Sequence, residues 1–125
     1  MTRLEHVNVT VADPDRTAAT LCDLFGWQVR WQGPGMTTGR TVHVGGEDSY
    51  VALFSYGKPA TSAETSYEVK NGLNHIAVVV DDLDATEMRV KAAGYVPGEV
   101  YDYDPGRRFY FREENGIEFE IVSYS

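Results

Sequence analysis

One cysteine, Cys22, stands in a chain of 125 residues. It permits no internal disulfide, which suits a reducing compartment. Long apolar runs are missing too. None approaches the roughly 20 residues of a membrane-spanning helix, and the N-terminal stretch lacks the apolar core of a secretory signal. The expectation is a cytoplasmic protein with no membrane partner. Basic residues are scarce, 11 Lys and Arg against 19 Asp and Glu, for a net charge of -8. That balance speaks against nucleic acid, whose phosphates call for basic patches. It leaves solubility, or a cationic partner, as the role of the charge. The apolar share of 42% suffices for a real core, so the length fits one domain or two intimately packed halves.

What the chain does have is an internal echo. Glu5-His6-Val7-Asn8-Val9-Thr10-Val11-Ala12-Asp13-Pro14-Asp15 returns in outline as Asn74-His75-Ile76-Ala77-Val78-Val79-Val80-Asp81-Asp82-Leu83-Asp84. At a constant offset His6 maps to His75, Val9 to Val78, Asp13 to Asp82 and Asp15 to Asp84. Two equivalent halves that pair would bring both imidazoles to one centre. Converging imidazoles suggest a metal. A lone strand histidine is more often structural; the equivalent placement of two is what changes the reading.

Local patterns assign the elements. Leu4 to Val11 alternates and is rich in β-branched residues, as a strand does. Val7, Val9 and Val11 fall on one face, His6, Asn8 and Thr10 on the other. Asp13 is a good N-cap and Pro14 suits the first helical position. Ala18, Leu21, Cys22 and Phe25 then mark a buried helical stripe that Gly26 ends. Cys22, on that stripe, is not a nucleophile. Trp27 to Trp31, Arg40 to Val44 and Tyr50 to Tyr56 read as strands. Residues 57–72 lack periodicity and form the linker between a first module (1–56) and a second (73–125). In the second, Leu73 to Val80 is a strand. Asp84 to Ala93 is a helix with Ala85, Met88 and Ala92 inward, stopped by Gly94. Tyr95 to Tyr101, Arg107 to Arg112 and Ile117 to Tyr124 are strands. The order is βαβββ twice, an α+β fold whose halves need each other.

These residues resemble the vicinal oxygen chelate superfamily, which includes glyoxalase I, extradiol dioxygenases, fosfomycin-resistance enzymes and bleomycin-resistance proteins. The carriers are "EHVNVTVADPD" with His6, "NHIAVVVDDLD" with His75 and "ENGIEFEIV" with Glu120, and the similarity spans essentially the whole chain. It implies two βαβββ modules whose curled mixed sheets enclose a shared cavity. It also implies a homodimer with sites at its interface. The implied metal ligands are His6, His75 and Glu120, with Glu118, on the same face, in reserve. Two imidazoles and a carboxylate leave open positions on a divalent ion such as Fe, Mn, Zn, Ni or Co, where substrate oxygens can bind.

The matching first-module position is Ala52, where glyoxalase I carries a carboxylate. A methyl group supplies neither base nor charge, so authentic glyoxalase I activity is not expected. Tyr110, Glu113, Gly116 and Glu120 follow the spacing of a dioxygenase-like signature, but Glu114 replaces its proline. Its upstream histidine is absent; Tyr101, Asp102 and Tyr103 occupy that region. Tyr110 is the candidate hydrogen-bond donor or proton relay. Tyr50, Ala52, Tyr103 and Arg108 are candidates to line the substrate pocket. Residues 101–106 read as a turn-rich loop, either a lid or a hairpin connection. Arg107, Arg108 and Arg112 have the charge to grip an anion, although surface arginines commonly do nothing of the kind. His43 points to cavity or solvent, solvent being the commoner case. The expectation is a metal-dependent lyase, isomerase, transferase or dioxygenase-like enzyme for a small oxygen-bearing molecule. The alternative is a metal-free protein that sequesters a cationic or aromatic compound.

Overall fold

A computed structural model describes residues 3–35, 38–58, 61 and 66–125. The chain divides into two compact units, Met1–Thr61 and Ser62–Ser125. Residues 59, 60 and 62–65 of the expected linker lie outside the described residues.

The first unit contains β1 (His6–Thr10), α1 (Pro14–Phe25), β2 (Gln28–Pro34), β3 (Arg40–Gly45) and β4 (Tyr50–Ser55). Its described strands form a four-stranded sheet in the order β1-β4-β3-β2. β1 runs parallel to β4, and the other pairs are antiparallel. The second unit contains β5 (Ile76–Val79), α2 (Leu83–Ala92), β6 (Tyr101–Tyr103), β7 (Gly106–Arg112) and β8 (Glu118–Ser123). Its sheet, β5-β8-β7-β6, repeats the first, with β5 parallel to β8. The expected α+β architecture of two βαβββ modules is therefore present. No described helix is long and apolar enough to cross a membrane.

Capping chemistry fixes where each helix begins. The Asp13 carboxylate accepts from the Arg16 amide at 3.2 Å, and the Asp82 carboxylate from the Ala85 amide at 3.0 Å. Gly26 ends α1 at φ 69°, where its amide donates to the Cys22 carbonyl; a side chain there would be strained. In the first unit α1 lies against β3 and β4, and Leu21, Leu24, Val42, Val44 and Leu53 are sealed from water. In the second, Phe109, Phe119, Ile121 and Val90 are sealed in the same way. Each such side chain is worth about 1.5–3 kcal/mol of burial. The opposite face of the second sheet carries Tyr110, Glu118 and Glu120, and that of the first carries His43 and Tyr50.

Several expectations need correction. The inward face of α2 is Leu83, Thr86 and Val90, not Ala85, Met88 and Ala92; Met88 is 70% exposed. Leu83 and Val90 offer more apolar surface than two alanines. Thr86 can be buried because its hydroxyl donates to the Asp82 carbonyl at 3.0 Å. On α1, Thr17 and Leu24 are buried while Cys22 and Phe25 are only half-buried. Tyr95 to Val100 is not a strand. Pro97 has no amide to donate, and Gly98 makes a single bond from its amide to the Tyr110 carbonyl at 2.8 Å. The strand there is Tyr101–Tyr103, so these tyrosines belong to a hairpin with β7 rather than to a loop. β1 and β5 are shorter than expected, and His75 sits one residue ahead of β5.

Candidate functional site

Strand register decides which residues share a face. In the second unit Ala77 pairs with Glu120, and Glu120 with Tyr110. Arg112 pairs with Glu118, and Arg108 with Val122. Side chains two apart on a strand point the same way, so Glu118, Glu120, Tyr110, Arg108 and Arg112 share the face away from α2.

His75 lies between the two carboxylates. Its Nε2 is 3.3 Å from Glu120 Oε1, and its Nδ1 is 3.6 Å from Glu118 Oε1. The Tyr110 hydroxyl donates to Glu120 Oε1 at 3.1 Å, and Arg108 Nη1 donates to Glu120 Oε2 at 3.2 Å. Both carboxylate oxygens are thus engaged. The Arg108 and Glu120 side chains are only 12% and 11% exposed, so this is a mostly buried ion pair. Tyr103 places its ring over the Arg108 guanidinium carbon at 4.8 Å. Burial, followed by the Glu120 hydrogen bond and charge, pushes the Tyr110 hydroxyl up to about 12. Tyr110 is therefore a protonated donor at neutral pH. A cleft of about 480 Å³ opens beside the cluster, lined by Gly94, Tyr95 and Val96 on one side and by Tyr110, Phe111, Arg112 and Glu118 on the other.

Tyr67 is a residue that sequence reasoning missed. It lies in the expected linker, yet its hydroxyl donates to Glu118 Oε1 at 2.5 Å and sits 3.3 Å from His75 Nδ1. Only a bulky aromatic in a polar stretch could have hinted at it. Arg107, by contrast, is occupied by Asp84 and Asp102. Arg112 holds Glu118 and the Gly116 carbonyl.

The first unit builds a different surface from equivalent positions. His6 pairs with Tyr50, Asn8 with Ala52, and Ala52 with His43. Tyr50 thus stands where the second unit has Glu118, Ala52 where it has Glu120, and His43 where it has Tyr110. A buried methyl group replaces the carboxylate. Around it the rings cluster. His6 stacks on Tyr50 at 4.7 Å and His43 on Tyr50 at 4.5 Å, while Trp31 lies 5.1 Å from His43. The Arg30 guanidinium lies over Tyr50 at 4.7 Å. Glu5 Oε1 holds His6 Nδ1 at 2.9 Å, which leaves Nε2 as the nitrogen for a ligand. His43 is half-buried rather than in open solvent, and burial, then the His6 and Arg30 charges, hold its imidazole below the ordinary value. Cys22 is half-buried, and burial raises its thiol, away from nucleophile chemistry.

Among the described residues no group of three His, Cys, Asp or Glu gathers in metal-holding geometry. The second unit does offer a pair. Two neighbouring donors on an ion with bonds near 2.1 Å stand about 3.0 Å apart in an octahedron and about 3.4 Å in a tetrahedron. His75 Nε2 and Glu120 Oε1, at 3.3 Å, fall within that interval. Hydrogen bonds to Glu120 from Tyr110 and Arg108 are the kind of outer support that orients a ligating carboxylate.

Solved structures share this fold. A glyoxylase/bleomycin resistance protein/dioxygenase domain from Frankia sp. EAN1pec is 22% identical, with 100% of this chain and 93% of that chain covered and a TM-score of 0.84. The fosfomycin resistance protein FosX from Listeria monocytogenes, solved with Mn(II) and sulfate, is 20% identical, with 100% and 94% covered and a TM-score of 0.76. TnmS3, an antibiotic binding protein from Streptomyces sp. CB03234, is 18% identical, with 100% and 98% covered and a TM-score of 0.77. Among curated proteins no significant match was found. The family model "Glyoxalase/Bleomycin resistance protein/Dioxygenase superfamily" matches residues 3–121, nearly the entire sequence, and the chain belongs to that superfamily.

Proposed function

We propose that this chain is a divalent-metal-dependent enzyme acting on a small oxygen-bearing molecule, with His75, Glu120 and His6 as the metal ligands. One observation carries the reading: His75 Nε2 faces Glu120 Oε1 across 3.3 Å while Arg108 and Tyr110 hold the carboxylate in place. His6, from the same chain or from a second copy, completes the set. The ion, when bound, supplies Lewis-acid polarisation of a substrate oxygen. The protein supplies the rest. Arg108 offsets the Glu120 charge. Tyr110, protonated at neutral pH, has a single O–H; it holds Glu120 at rest and would have to swing from that carboxylate to donate to an anion forming on the substrate. Ala52 offers no base, so the glyoxalase I reaction is not the one catalysed. The metal is Fe, Mn, Zn, Ni or Co. The protein works in the cytoplasm as a homodimer, without nucleic acid or membrane.

A second reading has its own observation. The clustered rings of the first unit, His6 and Trp31 exposed and His43 and Tyr50 half-buried, suit a flat aromatic ligand, as a metal-free binding protein needs, and one relative of this fold is an antibiotic binding protein. Elemental analysis of untagged protein separates the two. The enzyme reading expects stoichiometric metal, or melting that rises with added Mn²⁺, by about 2.7 kcal/mol of stability at 100 times the dissociation constant. His75→Ala and Glu120→Gln should each abolish most of that gain. Absence of metal, with melting unmoved by Mn²⁺, Fe²⁺, Zn²⁺, Ni²⁺ or Co²⁺, would favour the binder.

A further inference from the structure

Arg108 uses only part of its guanidinium. Nη1 donates to Glu120 Oε2 at 3.2 Å. Nε and Nη2 are buried and, among the described residues, have no hydrogen-bond partner. Buried polar groups are almost always satisfied, and leaving guanidinium N–H groups idle is costly. The idle pair is also a particular pair. Nε–H and the adjacent Nη2–H form the side edge of the fork, which matches the two oxygens of an oxyanion. The same chain shows that edge at work: Arg40 Nε and Nη2 hold the two Asp15 carboxylate oxygens at 2.6 and 2.7 Å. At Arg108 no carboxylate among the described residues of the second unit takes that place. Glu120 is on Nη1, Glu118 is held by Arg112 and Tyr67, and Asp102 and Asp84 are on Arg107.

We infer that the Nε/Nη2 edge of Arg108 is a subsite for a two-oxygen anionic group of the ligand, a carboxylate or a phosphonate-like head. As part of the substrate site this rests on the metal-enzyme reading, since Arg108 reaches the metal-site carboxylate through its third nitrogen. Tyr103 is its cover. Its ring lies over the guanidinium, it is 57% exposed, and it sits on a three-residue strand at the sheet edge. Entry to the buried edge requires that cover to shift. The net charge of the chain is negative, so a local cation with unused donors is a selective feature rather than part of a general basic surface. One anionic group set beside the metal ligands would fix the orientation of the substrate.

The test needs no knowledge of the natural ligand. Chelator-treated protein is followed by ¹H–¹⁵N NMR at the arginine Nε–Hε resonances. The Arg108 signal is assigned by its loss in Arg108→Lys. Propionate, methylphosphonate and neutral propionamide are titrated in turn. The expected result is a saturable shift of the Arg108 signal with at least one anion and none with propionamide. Arg108→Lys, a point charge without the fork, should bind that anion about tenfold or more weakly. A response to propionate alone identifies a carboxylate, and to methylphosphonate alone a phosphonate-like group. An Arg108 signal fixed in both anions, or moved equally by propionamide, or anion binding unchanged in Arg108→Lys, overturns the inference. Should Arg108→Lys not fold, the wild-type titration against propionamide still decides. Metal is absent throughout, so a positive anion response beside a failed Mn²⁺ test would sink the enzyme reading while leaving this subsite standing.

Discussion

Tyr110→Phe removes one hydroxyl and nothing else, which makes it a clean probe of the second-unit site. The hydroxyl donates to the mostly buried Glu120 carboxylate at 3.1 Å. Hydrogen bonds to charged acceptors contribute about 1.5–3 kcal/mol net, and this one is longer than the usual O–H···O distance, so the low end applies. Glu120 keeps Arg108 on Oε2 and His75 beside Oε1, so the carboxylate is not orphaned. The expected loss is therefore about 1–1.5 kcal/mol. With about 2.1 cal/mol/K of unfolding entropy per residue, that lowers Tm by about 4–6 °C. The pH dependence is the sharper signature. Tyr110 titrates near 12 in the folded protein against an ordinary 10, so folding favours the protonated phenol. Its contribution is whole below pH 10 and is lost as pH rises towards and through 12. Other groups titrate there too, but the difference between wild type and variant isolates this one. Denaturant unfolding of both at pH 8 and at pH 11.5 is the assay. A gap below about 0.3 kcal/mol at pH 8, or one that fails to narrow at pH 11.5, would refute both the bond and its electrostatic cause.

The corrected face of α2 is open to a paired test. Val90→Ala deletes two buried methyl groups and should cost about 2–3 kcal/mol, whereas Met88→Ala should stay within about 0.5 kcal/mol; the reverse order by urea unfolding would restore the inward Met88. His43 should titrate below 6.5 by NMR because burial and the neighbouring His6 and Arg30 charges disfavour its cation. Its contribution to stability is present above pH 6.5 and is lost as pH falls through its folded midpoint. Arg30→Gln should raise that midpoint, and a wild-type midpoint at or above 6.5 contradicts the assignment.

Periodicity and punctuation carried most of the fold. The alternation of Val7, Val9 and Val11 with His6, Asn8 and Thr10 is a strand with one buried face whatever surrounds it. Asp13-Pro14 and Gly26 bound α1 by chemistry local to those residues. The echo between the halves then made one assignment serve twice, down to the equivalence of Ala52 with Glu120. The pattern of the second helix points to the wrong face because its buried stripe includes a threonine. Only the Asp82 carbonyl that receives the Thr86 hydroxyl makes that residue a core residue. Residues 95–100 look like a strand by composition and are not one, because Pro97 and Gly98 cannot sustain a ladder.

By itself, the sequence determined the two βαβββ modules, the faces of the first and last strands, and the family. Those follow from repeating local patterns, and each rung of a strand fixes the direction of the next. Tertiary structure alone decided the chemistry around His75. It set Glu120 on one ring nitrogen and Glu118 on the other, brought Tyr67 in from an unpatterned segment, and gave Arg108 one partner while leaving two of its nitrogens idle. No spacing along a chain encodes such distances, because they depend on how separate strands pair and where long side chains come to rest between them.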